Sequence, residues 1–353
     1  MLDLDNQKTY EELDPSGIRE RIRQLPQQCR RAWDMAQEFS LPHEYTQVNK
    51  VVILGMGGSA IGGDLLGSLL AAQGNTPLFV QRDYGLPPFV DSRTLVIASS
   101  YSGQTEETLS AFRQALESPA KKLAITTGGQ LKAIAEERGV PVLTFNYPSE
   151  PRSALGYSFI PLVAICGKLG LLPDKATEIE EMAKVLDDLC KSLDERSPSA
   201  SNPAKQLAAR LFDRIAVIYG AGILSEVARR WKTQLNENSK AWAFYEVFPE
   251  LNHNAVVGFE FPSVANEMLF VVMLRSPLIH TRTLLRYQIT SELLTQAGIQ
   301  HETIEATAEG ALSQIMSTIL LGDYASYYLA ILNGIDPAPV KVIDYLKERL
   351  KQA

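Results

Sequence analysis

A glutamate between two asparagines, Asn236-Glu237-Asn238, and a histidine between two more, Asn252-His253-Asn254, are the residues best placed for proton transfer. An acid or imidazole flanked by amides suits neither an apolar core nor a plain solvated helix, whereas Asn side chains orient their neighbours through both donor and acceptor groups. Glu237 reads as a candidate general base and His253 as a candidate acid/base. The plainer readings are a surface carboxylate and a loop histidine that caps a helix. Arg152, in Glu150-Pro-Arg-Ser153, carries a fork suited to an oxyanion, or it simply pairs with Glu150. Lys347 is either a pocket ammonium or a solvated helix lysine. His43, His280 and His301 show no metal-ligand spacing with one another or with acidic residues, so no metal site is expected.

Groups of this kind act only on a substrate that is held still, and two stretches are built to hold one. Val51-Val-Ile-Leu-Gly-Met-Gly-Gly-Ser-Ala-Ile-Gly-Gly-Asp64 and Ala98-Ser-Ser-Tyr-Ser-Gly-Gln-Thr-Glu-Glu-Thr108 each break from a strand-like apolar run into a loop of glycine and hydroxyl residues, then resume with helical spacing. Glycine lets backbone approach a ligand closely, and the N–H groups and dipole at a helix start favour negative charge. A phosphate is the natural guest. No lysine follows the glycines as a Walker loop requires, and Gln81-Arg82-Asp83 does not supply the clear acidic residue of a dinucleotide site.

Around these loops the pattern alternates regularly. Strands at 50–54, 77–81, 94–98, 122–126 and 141–145 and helices at 60–72, 105–117 and 130–137 predict an α/β unit, a parallel sheet covered on both faces with its ligand at the carboxyl ends of the strands. Helices are expected at 154–171, 177–193 and 204–212, with a linker at 197–203. The order of 51–66 then recurs at 214–229, and that of 95–117 recurs at 269–275 and the helix from Thr281. This implies a duplicated unit. The second copy has Arg275-Ser-Pro-Leu-Ile-His280 in place of the serine loop, so only the first should hold phosphate. A polar run, Arg230 to Ala241, is expected to follow the second copy's helix. Residues 1–46 read as a helical arm packed on the first unit, with a helix start at Asp14-Pro15-Ser16 and a division at Pro26. At the other end Val342, Tyr345, Leu346 and Leu350 predict one buried helical stripe with Lys347 beside it.

A length of 353 residues favours two domains, and 45% hydrophobic with 21% charged residues describes a globular chain. The net charge of −7 excludes a concentrated basic face for nucleic acid. Cys29, Cys166 and Cys190 are odd in number and widely spaced, as reduced thiols are. An acidic N-terminus without an apolar signal core, and the lack of an unbroken apolar stretch of membrane length, give the expectation of a cytoplasmic protein with no membrane partner.

Taken together, Gly55 to Asp64, Ser100 to Thr108, Pro151-Arg-Ser-Ala-Leu-Gly-Tyr157, Asn236-Glu-Asn-Ser-Lys240 and Glu250-Leu-Asn-His-Asn254 carry a resemblance. The chain resembles the bifunctional phosphoglucose/phosphomannose isomerases of the sugar isomerase (SIS) domain superfamily from about residue 14 onward. The resemblance implies two SIS subdomains in a homodimer that interconverts glucose 6-phosphate or mannose 6-phosphate with fructose 6-phosphate without a cofactor. The organisation it implies is an arm at 1–46, a phosphate-binding SIS domain at 47–152, a helical connector at 153–207, a second SIS domain at 208–335 and a C-terminal helix at 336–353 that completes the active site. Gly57, Gly58, Ser59, Ser100, Ser102 and Thr105 would hold the phosphate. Glu237 would move the proton between C1 and C2, and Arg152 would stabilise the cis-enediolate. His253, reaching in from the partner subunit, and Lys347, with Lys341 the alternative, would open the ring. Some members of the family carry Thr where this chain has Val340, a position tied to the mannose epimer. A non-catalytic sugar-phosphate-sensing SIS protein is the competing reading, and it would have no use for Glu237, His253 and Arg152 together.

Overall fold

Helices and strands follow the apolar pattern through residues 2–352, which the computed structural model of the chain describes. The chain opens with α1 (Gln7–Leu13), α2 (Ile18–Arg23) and α3 (Leu25–Glu38). Asp14 accepts from the N–H groups of Ile18 and Arg19 at 2.8 and 3.0 Å, which caps α2. Pro26 lies in the first turn of α3, where an N–H has no helical partner to lose. Both signals act as predicted.

Next come β1 (Lys50–Leu54), α4 (Gly57–Gln73), β2 (Leu78–Gln81), β3 (Thr94–Ser100), α5 (Glu106–Leu116), β4 (Lys121–Thr126), α6 (Gly129–Glu137) and β5 (Val142–Thr144). The five strands are all parallel, in the order β2-β1-β3-β4-β5. Side chains alternate between the faces of the sheet. Val51, Ile53, Leu95 and Ile97 enter the main core, while Val52, Leu54, Val96 and Ala98 pack under Phe112 and Leu131. Three helices follow, α7 (Leu155–Lys168), α8 (Ala176–Leu193) and α9 (Pro203–Leu211).

The pattern then restarts with β6 (Ile215–Gly220), α10 (Ser225–Glu237), β7 (Ala243–Val247), the single turn α11 (Ala265–Met268), β8 (Leu269–Arg275), α12 (Thr281–Gln296) and β9 (Gln300–Glu305). This second parallel sheet has the order β7-β6-β8-β9, which is the order of the first four strands of the other sheet. The expected duplication is therefore present, without a counterpart to β5. The polar run from Arg230 does not follow the helix, however. It is the second half of α10, which runs on to Glu237.

α13 (Ala311–Leu332) is apolar nearly all round and joins the two halves, packing on α8, α9 and α10. Among the described residues it is the one helix long and apolar enough to cross a membrane, with a mean hydropathy of 1.3, but 89% of that stretch is buried within the protein and Asp323 interrupts it. The N-terminal arm touches the first unit, as expected, where Tyr45 donates to the Lys122 carbonyl of β4 at 2.7 Å and Arg21 pairs with Glu150, but most of it packs elsewhere. α3 packs on α7 and α8, and Tyr10 of α1 stacks on Tyr327 of α13. The amphipathic stripe that defines a helix face does not say which neighbour covers it. The same limit applies at the C-terminus, where α14 (Lys341–Leu350) has no buried residue at all. Val342, Tyr345, Leu346 and Leu350, predicted to be buried, are 82%, 64%, 56% and 53% exposed.

Candidate active site

The first helix of each serine-bearing loop begins at the carboxyl end of a strand. α4 starts at Gly57 directly after β1, with no acidic residue in its first turn, so the leading N–H groups face outward with their positive end uncompensated. A side chain at Gly58 would place its Cβ 2.9 Å from the carbonyl oxygen of Pro151, so only glycine lets the loop bearing Arg152 settle against this turn. Ser59 is buried, and its hydroxyl accepts from the Tyr101 N–H at 3.0 Å, tying the two loops together. In the second loop Ser100 and Thr105 share a hydroxyl hydrogen bond of 2.9 Å, and Ser102 accepts from the Gln104 N–H at 3.2 Å. Gly103 takes a positive φ of 63° between them. The first turn of α5 already carries Glu106 and Glu107, so hydroxyls rather than a free helix end are what that loop offers an anion.

A cavity of about 170 Å³ runs from this cradle to α10. Gly57, Gly58 and Ile61 of α4 line it, together with Arg82, Arg152 and the α10 residues Arg229, Arg230, Thr233, Gln234 and Glu237. Arg152 is the most constrained of these. Its Nε donates to Asn238 Oδ1 at 2.7 Å, and Nη2 donates to the carbonyls of Pro337 and Ala338, both at 2.8 Å. That leaves Nη1, which faces Glu237 Oε2 at 3.6 Å. Burial weakens the guanidinium's hold on its proton and the Glu237 carboxylate opposes this. Glu150, the other partner considered for Arg152, pairs instead with Arg21. Asn238 is itself fixed by donating to Ser326 at 3.0 Å, so the amide beside Glu237 orients the arginine.

The remaining cations are anchored from behind. Arg230 donates to Asp323 at 2.8 Å and to the Arg152 carbonyl at 3.1 Å. Arg82 is paired with Asp64 of α4, which also has Arg229 at 3.5 Å. Burial pushes the Asp64 carboxyl up and Arg82 pulls it back down. Residue type alone does not single out these groups. The signal was the spacing of Arg229, Arg230, Thr233, Gln234 and Glu237, which lie three and four apart on one face of a helix once α10 is extended to its true end.

The other expected residues lie elsewhere in this chain. Ser100, Ser102 and Thr105 flank the cradle without lining the cavity wall. His253 ends a short 3-10 turn, Glu250–His253, and is exposed; Lys347 is exposed on α14, as is Lys341. The three thiols are all buried and unpaired, with Cys29 and Cys166 pushed up to about 12 by burial.

Two parallel sheets of matching strand order, one bearing the glycine- and serine-rich loops and the other Glu237, define a double SIS fold. A tagatose-6-phosphate ketose/aldose isomerase from Escherichia coli has this fold, with a TM-score of 0.68 at 18% identity over 90% of this chain and 93% of that one. The profile of the bacterial phospho-glucose isomerase C-terminal SIS domain matches residues 200–350. A bifunctional phosphoglucose/phosphomannose isomerase from Caldicellulosiruptor bescii is 45% identical over 94% of this chain and 98% of its own length. Its counterpart from Aquifex aeolicus is 36% identical over 88% and 92%. The chain belongs to the bifunctional phosphoglucose/phosphomannose isomerase family.

Proposed function

We propose that the protein isomerises glucose 6-phosphate and mannose 6-phosphate reversibly to fructose 6-phosphate through a cis-enediolate. The observation that carries this reading is one cavity lined both by Gly57 and Gly58 at the head of α4 and by Arg152 and Glu237. A sugar phosphate anchored by Gly57, Gly58, Ser59, Ser100, Ser102 and Thr105 extends its carbonyl end toward Glu237. Glu237 removes the proton from C2 of the aldose and returns it to C1, and the free Nη1 of Arg152 stabilises the oxyanion that forms between them. The fork's other donors are committed to Asn238, Pro337 and Ala338, so the guanidinium is held before substrate arrives. A sensor without turnover has no use for a buried arginine aimed at a carboxylate.

His253 and Lys347 are assigned to ring opening, His253 from the partner of a homodimer and Lys347 from α14, as residues 336–353 complete the site. The support is that both side chains are exposed in the single chain, and that α14 carries an apolar face which a partner would cover. In this organisation residues 47–152 bind the phosphate, 153–207 connect the units and 208–335 supply the base. The reading extends to a role in cytoplasmic carbohydrate metabolism, which the three reduced, buried thiols support. Incubation of the purified protein with fructose 6-phosphate and a chelator should yield both aldose phosphates. Recovery of unchanged ketose at every protein concentration would overturn the reading.

A further inference from the structure

We propose that Lys240 is a positioning residue, whose ammonium staples the C-terminal end of α10 to the Pro337 carbonyl and so fixes the backbone that aims Glu237 and Arg152. The proposal rests on the isomerase reading above. α10 ends at Glu237, and the last carbonyls of any helix have no partner within it. The Lys240 ammonium reaches back to accept that role, donating to the Glu237 carbonyl at 2.7 Å, more weakly to that of Asn238 at 3.4 Å, and to that of Pro337 at 2.8 Å. Its three N–H bonds are thereby used, so Lys240 does not donate to substrate. A cation at this end of a helix is also favoured by the dipole.

The Pro337 carbonyl is the joint. It accepts from Lys240 and from Nη2 of Arg152, both at 2.8 Å, so one oxygen ties the base-bearing helix, the oxyanion cation and the segment leading to α14. The backbone gives an independent sign. Lys240 has a φ of 53°, the left-handed region in which a helix normally ends on glycine. A lysine in that place bears a steric cost that glycine avoids, which is explained if its side chain is needed.

Three charged groups face the ammonium: Arg152 from the loop before α7, Glu237 from α10, and Asp336 from the C-terminal segment. Burial, and then Arg152, bring Lys240 down to about 8, against the pull of Asp336 and Glu237. The staple is therefore discharged in mild alkali. Because the folded value lies below that of free lysine, the unfolded chain holds the extra proton between the two, and global stability rises with pH across that window. A fall in activity there marks loss of the staple rather than unfolding.

Lys240→Gly removes the ammonium while allowing the left-handed backbone, and Lys240→Arg keeps a cation that does not titrate. With fructose 6-phosphate, K240G should lose kcat by roughly tenfold, as expected for one charged hydrogen bond, with KM changed by less than about twofold. The wild type should show an alkaline limb near pH 8 that moves upward in K240R. Amide hydrogen exchange at residues 336–341 should quicken in K240G. Wild-type kcat in K240G, with unchanged exchange at 336–341, would overturn the staple. If the wild type itself leaves fructose 6-phosphate untouched, the isomerase reading fails instead, and the exchange comparison still decides for or against the staple.

Discussion

The two halves of the chain share one strand order and use opposite ends of their helices. In the first copy β1 feeds directly into α4 at Gly57, and the head of the helix is left open to an anion. In the second, β6 passes through a 3-10 turn, Gly222–Leu224, before α10 begins, and Glu226 occupies the first turn of that helix. The space at the turn is filled as well. A Cβ on Gly222 would lie 2.8 Å from the Cγ2 of Ile279, which comes from the segment that replaces the serine loop. What the second copy contributes sits at the other end of α10, where Glu237, Asn238 and Lys240 gather with Arg152. Duplication has thus divided the labour by helix polarity. The open positive head of α4 in one unit favours an anion, and the negative tail of α10 in the other gathers the cations Arg152 and Lys240.

The comparison breaks most visibly at Glu237. Glu237→Gln keeps the shape of the α10 tail and removes the base, so turnover should fall by roughly 10²–10⁴-fold in a coupled isomerase assay while KM for fructose 6-phosphate stays close to that of the wild type. Near-normal turnover would show that the second copy supplies no base. Arg152→Lys comes next. An ammonium lacks the planar fork that reaches Asn238, Pro337 and Ala338 while leaving one end free, and kcat should drop by about 10²-fold. Thermal melts of the same variant should show some loss of stability, since buried acceptors lose a charged donor.

Much of this division was legible in the sequence. The two glycine-serine loops and the repeat at 214–229 could be read from residue type and order, and so could Arg152 and Glu237 as candidates, with a pairing to Glu150 and a surface carboxylate as the open alternatives. Arg82, Arg229 and Lys240 could not, for two different reasons. Arg229 is hidden because the polar run from Arg230 reads as a segment after the helix, and its periodicity shows only when 225–237 forms one element. Arg82 and Lys240 act through partners distant in sequence, Asp64 and Pro337, which no local pattern connects. The failure at α14 is of another kind. Its periodicity marks an amphipathic face, but an apolar stripe does not say whether anything in the same chain covers it, and here nothing among the described residues does.

The smallest effects belong to the hydroxyls, and they sharpen the contrast between the copies. Ser100 and Thr105 bond to each other across the mouth of the α5 loop, where Glu106 and Glu107 already compensate the helix head. On the proposed function, removing either hydroxyl, by Ser100→Ala or Thr105→Val, deletes one neutral contact to the phosphate. KM should therefore rise by only about three- to tenfold at constant kcat. In the second copy Ile279→Ser introduces a hydroxyl and opens space beside Gly222. KM, and the dissociation constant for inorganic phosphate by calorimetry, should stay unchanged there, because Glu226 keeps the head of α10 unattractive to an anion. A second phosphate bound by the Ile279→Ser protein would mean that the two turns differ by a plug alone, and that helix polarity does not divide the work.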